Sequence, residues 1–170
     1  MKNKKTKIET PQYKIVASEN FPFFNAYHDD AYILSHDCRS MVAVSEEGMK
    51  YILDNQSRKE IVVYRIDKGI ISGTVEKCDF GIYTENDILF LIELKSPERE
   101  YGKALQQIIN TIEILIKSHN IPVSNLNARI VIHKYPNTLT AKERKLENYI
   151  ISNYHCDLQH GTKTMTEVLP

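Results

Sequence analysis

The chain has 170 residues, of which 42% are hydrophobic and 26% are charged. This length and composition are sufficient for one globular domain with a hydrophobic core. Its 22 basic and 22 acidic residues cancel, which argues against a protein that binds polyanions through its net charge alone. A local basic surface for nucleic acid is still compatible with a neutral total.

The N-terminal residues and the cysteines predict a cytoplasmic protein. No apolar run approaches the length of a membrane span, and the lysine-rich residues 1–12 lack the apolar segment of a signal peptide. We expect these residues to form a flexible basic arm, followed by a single domain over residues 13–170. Cys38, Cys78 and Cys156 are widely separated and lack the paired spacing of a zinc site, which is typical of reduced thiols.

Two short clusters combine histidine with acidic residues or cysteine. They are His28-Asp29-Asp30 and His36-Asp37-Cys38. Neither has the histidine pair at i, i+4 or the paired cysteines that a zinc site usually shows. We therefore interpret them as surface or capping residues rather than as metal ligands.

Residues 39–56 show a helical pattern of apolar positions, which predicts an amphipathic helix. The apolar residues that recur at steps of three and four are Met41, Val42, Met49, Ile52 and Leu53. A strand over residues 41–44 followed by a shorter helix is the alternative, and both versions make residues 45–53 helical. On that helix Glu46 lies on the flank of the apolar positions and Glu47 on the opposite side. Only Glu46 can then face the edge of a sheet.

Strands are predicted on both sides of the middle of the chain. Residues 61–66 are a β-branched run between charged residues, which predicts a strand. Residues 70–75 either extend the sheet or connect its strands. Residues 129–133 are a short apolar run that predicts a central strand. Residues 157–170 are polar, and no element is assigned to them.

Two helices are predicted in the second half of the chain. Residues 101–117 carry apolar side chains at helical spacing and predict the most regular helix. Ser96 as N-cap and Pro97 at the first helical position mark its start, and residues 119–122 end it. The second helix begins at Thr140.

Residues 78–95 predict two strands joined by a polar turn, with three charged residues where apolar ones are expected. Side chains alternate along the second strand, so Glu93 and Lys95 share one face. A three-residue loop over residues 85–87 places Asp79 directly opposite Glu93. A loop of two or four residues would place Asp79 on the other face.

In that register the two carboxylates have Cβ atoms about 5 Å apart. Like charges at this separation destabilise a sheet unless a cation lies between them. A divalent metal together with the Lys95 ammonium supplies such a cation. The resulting pattern is Asp79, thirteen further residues, then Glu93-Leu94-Lys95.

This pattern resembles the PD-(D/E)XK phosphodiesterase superfamily, which includes restriction endonucleases and Holliday-junction resolvases. The resemblance covers roughly residues 40–135 and indicates no single subfamily, and Cys78 stands where the family often has proline. The predicted order of helix, three strands, helix and strand is also the αβββαβ order of that superfamily's core. The resemblance thus implies an α/β fold with a restriction-endonuclease-like core, in which helices flank a central mixed sheet.

The resemblance implies a nuclease that hydrolyses phosphodiester bonds of nucleic acid, DNA first of all, with Mg²⁺ as cofactor and Mn²⁺ as a substitute. Asp79, Glu93 and the Leu94 carbonyl would bind the metal, and Glu46 would add an outer contact through a water. Lys95 would orient or activate the attacking water and stabilise the pentavalent phosphorus.

The helix after the motif carries a further candidate, Gln107. It matches the Ala-x-x-Gln spacing, counted from Ala104, that is frequent in the family. Some relatives use this glutamine to contact the scissile region, and a glutamine on the helix surface is the alternative. Arg99 and Lys103 are the basic residues nearest the motif and are the expected phosphate contacts.

Other functional hypotheses stay open beside an active nuclease. One is a binding module that keeps this fold without turnover as part of a larger assembly. The neutral net charge favours this module, whereas the intact motif favours the nuclease. An unrelated small α/β protein is the remaining alternative. The resemblance also allows a homodimer, because many relatives cut both strands as pairs, and it indicates neither a membrane partner nor base-specific recognition.

Overall fold

The computed structural model describes residues 22–95 and 100–170. The predicted basic arm over residues 1–12 and the proposed helix start at Ser96 and Pro97 lie outside these ranges. Within them, no helix is long and apolar enough to cross a membrane.

The described chain folds into a mixed α/β structure with three α-helices and nine strands. The helices are α1 (Pro22–Ala26), α2 (Tyr101–Ile112) and α3 (Ala141–Tyr154). The strands are β1 (Ile33–Asp37), β2 (Met41–Glu46), β3 (Met49–Asp54), β4 (Ile61–Arg65), β5 (Phe80–Thr84), β6 (Ile88–Lys95), β7 (Asn125–Ile132), β8 (Asp157–Thr162) and β9 (Thr164–Val168). A π-helical turn, Glu113–Lys117, continues α2.

Six strands form a mixed sheet in the order β1-β4-β5-β6-β7-β8. Neighbouring strands are antiparallel from β1 to β6, whereas β6, β7 and β8 are parallel. Apolar side chains on one face pack against the helices. Those on the other face pack against a second sheet of three strands, β2-β3-β9. The sheet is therefore mixed, as predicted, but the described helices cover one of its faces and the small sheet covers the other.

Several predicted elements are found where the sequence places them. β4 matches the strand predicted over residues 61–66, and α2 with its π-helical turn matches the helix predicted over residues 101–117. β7 contains most of the predicted strand over residues 129–133, and Thr140 caps α3 in a reciprocal capping box. Residues 70–75 belong to the connection between β4 and β5.

The helix predicted over residues 39–56 is not present, and neither is the helix over residues 45–53 in the alternative version. β2 and β3 form an antiparallel hairpin there, so only the strand of the alternative is confirmed. Buried and exposed side chains alternate along both strands as a half-buried sheet requires. The buried ones are Val42, Val44, Met49, Tyr51 and Leu53.

The turn of this hairpin explains the error. Glu47 and Gly48 have φ angles of 47° and 80°, and a two-residue turn of type I′ requires positive φ at both positions. Asn-Gly or Asp-Gly usually marks such a turn, whereas Glu-Gly gives a weaker signal. Because the turn interrupts the period of two, the apolar residues on its two sides fall at steps that resemble a helix.

Residues 157–170, to which the sequence analysis assigned no element, contain β8 and β9. β8 extends the six-stranded sheet parallel to β7, and β9 pairs parallel to β3 in the small sheet. Each is the outermost strand of its sheet and consists of exposed and half-buried residues. Both strands therefore lack the apolar run by which a central strand is recognised.

A buried arginine ties the two sheets together. Arg129 of β7 is 1% exposed, and its Nε and Nη2 atoms donate hydrogen bonds to Glu167 of β9 at 2.6 and 2.7 Å. The same guanidinium donates to Asp157 of β8 at 2.8 Å and lies 5.5 Å from the centroid of the Phe90 ring. The Tyr51 hydroxyl of β3 also donates to Glu167, at 2.9 Å. The buried positive charge is thus fully compensated.

Replacing Arg129 with methionine should lower the free energy of unfolding by about 3 kcal/mol, because Glu167 then loses its buried counter-ion. Urea denaturation followed by circular dichroism measures this change. Arg144→Met, at an exposed position on α3, is the matched control and should change the free energy of unfolding by less than about 0.5 kcal/mol. Equal losses in the two variants would contradict the role assigned to Arg129.

Candidate functional site

The β5–β6 hairpin carries the candidate site, and its register is the predicted one. Phe80 pairs with Ile92, as a three-residue loop requires. The regular pairing ends there, because the Asp79 N–H bonds to β6 at Ile92 and its carbonyl bonds to β4 at Ile66. The predicted direct pairing of Asp79 with Glu93 is therefore not formed. The loop over residues 85–87 ends with a residue whose φ angle is 55°. This left-handed conformation is typical of the last residue in a three-residue hairpin loop. The predicted loop length is therefore confirmed, and Asp79 lies at the end of the hairpin near enough to Glu93 and Lys95 for its charge to act on both.

Asp79 is fixed by its backbone and by its side chain. Its N–H donates to the Ile92 carbonyl at 3.2 Å, and its carbonyl accepts from the Ile66 N–H at 3.0 Å. Its carboxylate oxygen Oδ2 accepts a hydrogen bond from the Leu94 N–H at 2.8 Å. The side chain thus occupies the place that the Cys78 carbonyl would take if the ladder continued in the register of Phe80 and Ile92. The two strands separate at this point.

The Leu94 carbonyl faces the same edge of β6 as Asp79. Along a strand, successive carbonyls point to opposite edges. The Lys95 carbonyl accepts from the His133 N–H at 3.1 Å on the β7 side, and the Ile92 carbonyl accepts from Asp79 on the β5 side. The Leu94 carbonyl, which lies between them, therefore points to the β5 side. This is the direction that a metal ligand beside Asp79 requires.

Glu93 is fully buried, and its carboxylate is incompletely satisfied. The Lys95 ammonium Nζ lies 2.6 Å from Glu93 Oε1, with a side-chain exposure of 15% for Lys95. Apart from this ion pair, neither carboxylate oxygen of Glu93 has a hydrogen-bond partner in the described part of the chain. Buried carboxylates normally accept several hydrogen bonds, so this group retains free lone pairs for a cation.

The electrostatics of the site favour an additional positive charge. Burial raises the pKa of Asp79 to about 6, and the charges of Glu46 and Asp67 add to the effect. Burial and the charge of Asp79 raise the pKa of Glu93 well above its ordinary value. Burial lowers the pKa of Lys95, but Glu93 and Asp79 outweigh it, so that this pKa is raised. One ammonium is insufficient for two desolvated carboxylates.

Glu46 approaches the site from the small sheet. It is the last residue of β2 and has the same parity as Val42 and Val44, whose side chains are buried against the large sheet. Its side chain is exposed, and its charge raises the pKa of Asp79. The preference for Glu46 over Glu47 therefore holds, although it comes from the period of a strand and not from a helix.

Asp67 also borders the site, and the sequence analysis did not single it out. Its N–H lies 3.4 Å from the Asp79 carbonyl. Its carboxylate pairs at 3.2 Å with Lys77, which is buried. Its position in the sequence could have indicated this. Asp67 follows the last residue of β4 by two residues, and β4 is the neighbour of β5 in the sheet.

Gln107 is buried and bonded to the chain segment that leads into Asp79. Its side-chain amide donates to the Lys77 carbonyl at 2.7 Å. One turn later, the Thr111 hydroxyl accepts from the Cys78 N–H at 2.9 Å and donates to the Gln107 carbonyl at 2.8 Å. Gln107 is therefore not a helix-surface residue, and together with Thr111 it anchors residues 77–78 to α2.

The two histidine-containing clusters are engaged in local contacts. Asp29 and Asp37 accept hydrogen bonds from the backbone N–H two residues later, at 2.9 and 3.1 Å, as aspartates in turns do. His36 pairs with Glu60 at 2.9 Å. Among the described residues, no group of three or more His, Cys, Asp or Glu side chains forms a metal-binding cluster. The candidate site has two carboxylates and a backbone carbonyl.

The expected phosphate contacts are placed in part. Lys103 on α2 pairs with Glu76 at 3.3 Å, so its charge is partly compensated. Arg99 lies outside the described residues. The ion pair of Lys103 therefore does not bring this residue to the candidate site.

Comparison with protein-family models, with curated proteins and with solved structures finds no match to this chain. The functional interpretation therefore depends on the sequence motif and on the geometry of Asp79, Glu93 and Lys95.

In metal-free protein, the free energy of unfolding should fall as the pH is raised from about 4 to about 7. The pKa of Asp79 is raised from 3.8 to about 6 in the fold, so the folded protein binds more protons than the unfolded chain in this range. As the proton of Asp79 dissociates, the free energy of unfolding falls by no more than about 1.4 kcal/mol for each unit of pH. Urea titrations in EDTA at several pH values measure the loss.

The matched variant is Asp79→Asn, which keeps an oxygen to accept the Leu94 N–H and removes the charge. Its stability should fall less steeply over the same pH range, because the titrating group is absent. Parallel curves for the variant and the wild type would contradict the raised pKa of Asp79.

Proposed function

We propose that the protein is a metal-dependent nuclease that hydrolyses phosphodiester bonds of nucleic acid, with DNA as the first candidate. The observation that carries the proposal is that the charge of Asp79 acts on the fully buried Glu93, which is paired with Lys95. A half-buried and a fully buried carboxylate that share one ammonium lower the stability of the fold. Such an arrangement is typical of a site that binds a cation.

The strand order supports a restriction-endonuclease-like core of the PD-(D/E)XK kind. β4, β5 and β6 form an antiparallel meander, α2 follows, and β7 returns parallel to β6. This is the strand, strand, strand, helix, strand part of the superfamily's order. The first helix of that order has no counterpart in residues 39–56, where the β2–β3 hairpin lies. The proposal therefore depends on the last five elements of the order.

The donor set fits Mg²⁺, and by the same chemistry Mn²⁺. Magnesium takes oxygen ligands, keeps several waters and often uses only one or two carboxylates of the protein. Asp79 and Glu93 supply two carboxylates, and the Leu94 carbonyl faces the same edge. Lys95 pairs with one carboxylate oxygen of Glu93, which leaves lone pairs of this carboxylate for a metal. Glu46 would contribute as an outer contact.

The protein's own residues would act on the substrate in defined ways. Magnesium, when bound, supplies charge neutralisation at the phosphoryl oxygens and lowers the pKa of a water. Lys95 keeps its proton on Nζ and donates hydrogen bonds that orient the water and stabilise the pentavalent phosphorus. The water oxygen forms a bond to phosphorus while the bond to the leaving oxygen breaks. The attacking water releases one proton to bulk solvent, and the leaving oxygen takes one up from bulk solvent.

Gln107 would act as a positioning residue. It bonds to the backbone two residues before Asp79 and not to an open surface. In this proposal it holds the start of β5 against α2, so that the Asp79 carboxylate stays beside Glu93. Contact with the scissile region, as in some members of the superfamily, is not required for this role.

Full-length protein incubated with plasmid and with single-stranded DNA should cleave at least one of them in Mg²⁺ or Mn²⁺, and EDTA should abolish cleavage. Lys95→Ala should reduce the cleavage rate by about 10²–10³, because it removes a donor aimed at the developing charge. Gel electrophoresis of timed samples measures the rates.

Lys142→Ala, at an exposed position on α3, is the control for Lys95→Ala and should cleave at the wild-type rate. Equal cleavage by the wild type and Lys95→Ala would show a contaminating nuclease and contradict the assignment. No cleavage by the wild type on any substrate would instead favour a binding module without turnover. The neutral net charge also favours that alternative.

A further inference from the structure

A groove lies between the two sheets, at the side where both have an open edge. It has a volume of about 340 Å³ and is lined by β1 and β4 of the large sheet and by β2 of the small sheet. In the part of the chain that the structure describes, β1 has only β4 as a neighbour and β2 has only β3. We call this the edge groove, defined by Ser35, Arg39, residues 42–45, Arg65 and Phe80.

The backbone edge of β2 lines the edge groove. Four consecutive residues, 42–45, contribute to its wall. Side chains alternate between the two faces of a strand. Four consecutive residues can therefore line the same groove only if the groove runs along the edge of the strand. That edge carries backbone N–H groups without a strand partner, and these are donors for an oxygen-rich ligand.

The edge groove leads to the candidate site. Its wall contains Phe80 and Ser45. Phe80 is the neighbour in sequence of Asp79, and Ser45 is the neighbour of Glu46. Both acidic residues belong to the candidate site, and they approach it from different sheets. A chain-like ligand in the groove therefore passes beside Asp79 and Glu46.

The charge of the edge groove favours an anionic ligand. Two arginines line it, and none of its lining residues is acidic. Arg65 is exposed, lies with its guanidinium 6.0 Å from the centroid of the Phe80 ring, and forms no ion pair with a carboxylate in the described part of the chain. Arg39 is 55% exposed at its side chain and is paired with Asp37. Arg65 is therefore the stronger candidate for a phosphate contact.

We infer that the edge groove holds the sugar–phosphate backbone of the nucleic-acid strand that enters the site, with Arg65 and, more weakly, Arg39 on its phosphates. This inference rests on the proposed function and adds the path of the substrate. An extended peptide added to the edge of β2 would use the same backbone donors, but it would leave Arg65 without an anionic partner. Phosphates can accept hydrogen bonds from the backbone N–H groups of β2 and can also pair with Arg65.

Fluorescence anisotropy with a labelled single-stranded oligothymidine, in EDTA to prevent turnover, tests the inference on the full chain. Arg65→Gln should weaken binding on the order of fivefold and make the slope of log K against log salt shallower by about 0.7, the value for one phosphate contact on a single strand. Arg39→Gln should have a smaller effect in the same direction. Arg65→Lys, which keeps the charge, should bind more tightly than Arg65→Gln.

Arg144→Gln on α3, far from β1 and β2 in the contact pattern, is the control and should bind like the wild type. If Arg65→Gln kept the wild-type affinity and salt slope, the edge groove would not be the binding site of the nucleic-acid strand. The proposed function would survive that result if cleavage still depended on Lys95. No binding and no cleavage by the wild type would overturn both. Tight binding of an uncharged extended peptide with no binding of the oligonucleotide would assign the groove to a peptide instead.

Discussion

The candidate site depends on one unfavourable arrangement that the fold enforces, the two like charges of Asp79 and Glu93 close together at the end of the β5–β6 hairpin. The pair persists because its surroundings fix it. The Leu94 N–H holds the carboxylate of Asp79, the Lys95 ammonium lies against Glu93, and both acids are desolvated. A metal-free fold is weakened by this arrangement, as functional sites often are. In the proposed function, this loss of stability accompanies a site that can bind a metal.

Much of this site could be predicted from the sequence because it depends on parity. The period of two decides which residues of β6 share a face, and the three-residue loop sets the register of β5 on β6 up to Phe80. The irregular backbone at Asp79 was not predicted, because it depends on bonds to both β4 and β6. The amphipathic pattern of α2 and the capping box at Thr140 are similarly local signals. Local signals of this kind require no knowledge of distant contacts, and the structure has them in place.

The remaining features depend on contacts that are distant in sequence. Arg129 can be buried only because Glu167 and Asp157, from two later strands, compensate it. The strands β8 and β9 are polar and become strands by pairing with β7 and β3. The spacing of Gln107 from Ala104 singles it out in the sequence. Its bond to the Lys77 carbonyl, however, follows from the packing of α2 on the sheet. Sequence patterns contain no direct record of such pairings.

The central claim is that Asp79 and Glu93 hold a divalent metal, and an anomalous diffraction experiment tests it most directly. Crystals of the full chain soaked in Mn²⁺ should give one strong anomalous peak bordered by the Asp79 and Glu93 carboxylates and the Leu94 carbonyl. Crystals of Glu93→Gln treated in the same way should lose it. A map without a peak at the end of β5 and β6, or with its strongest peak elsewhere on the chain, would contradict the account.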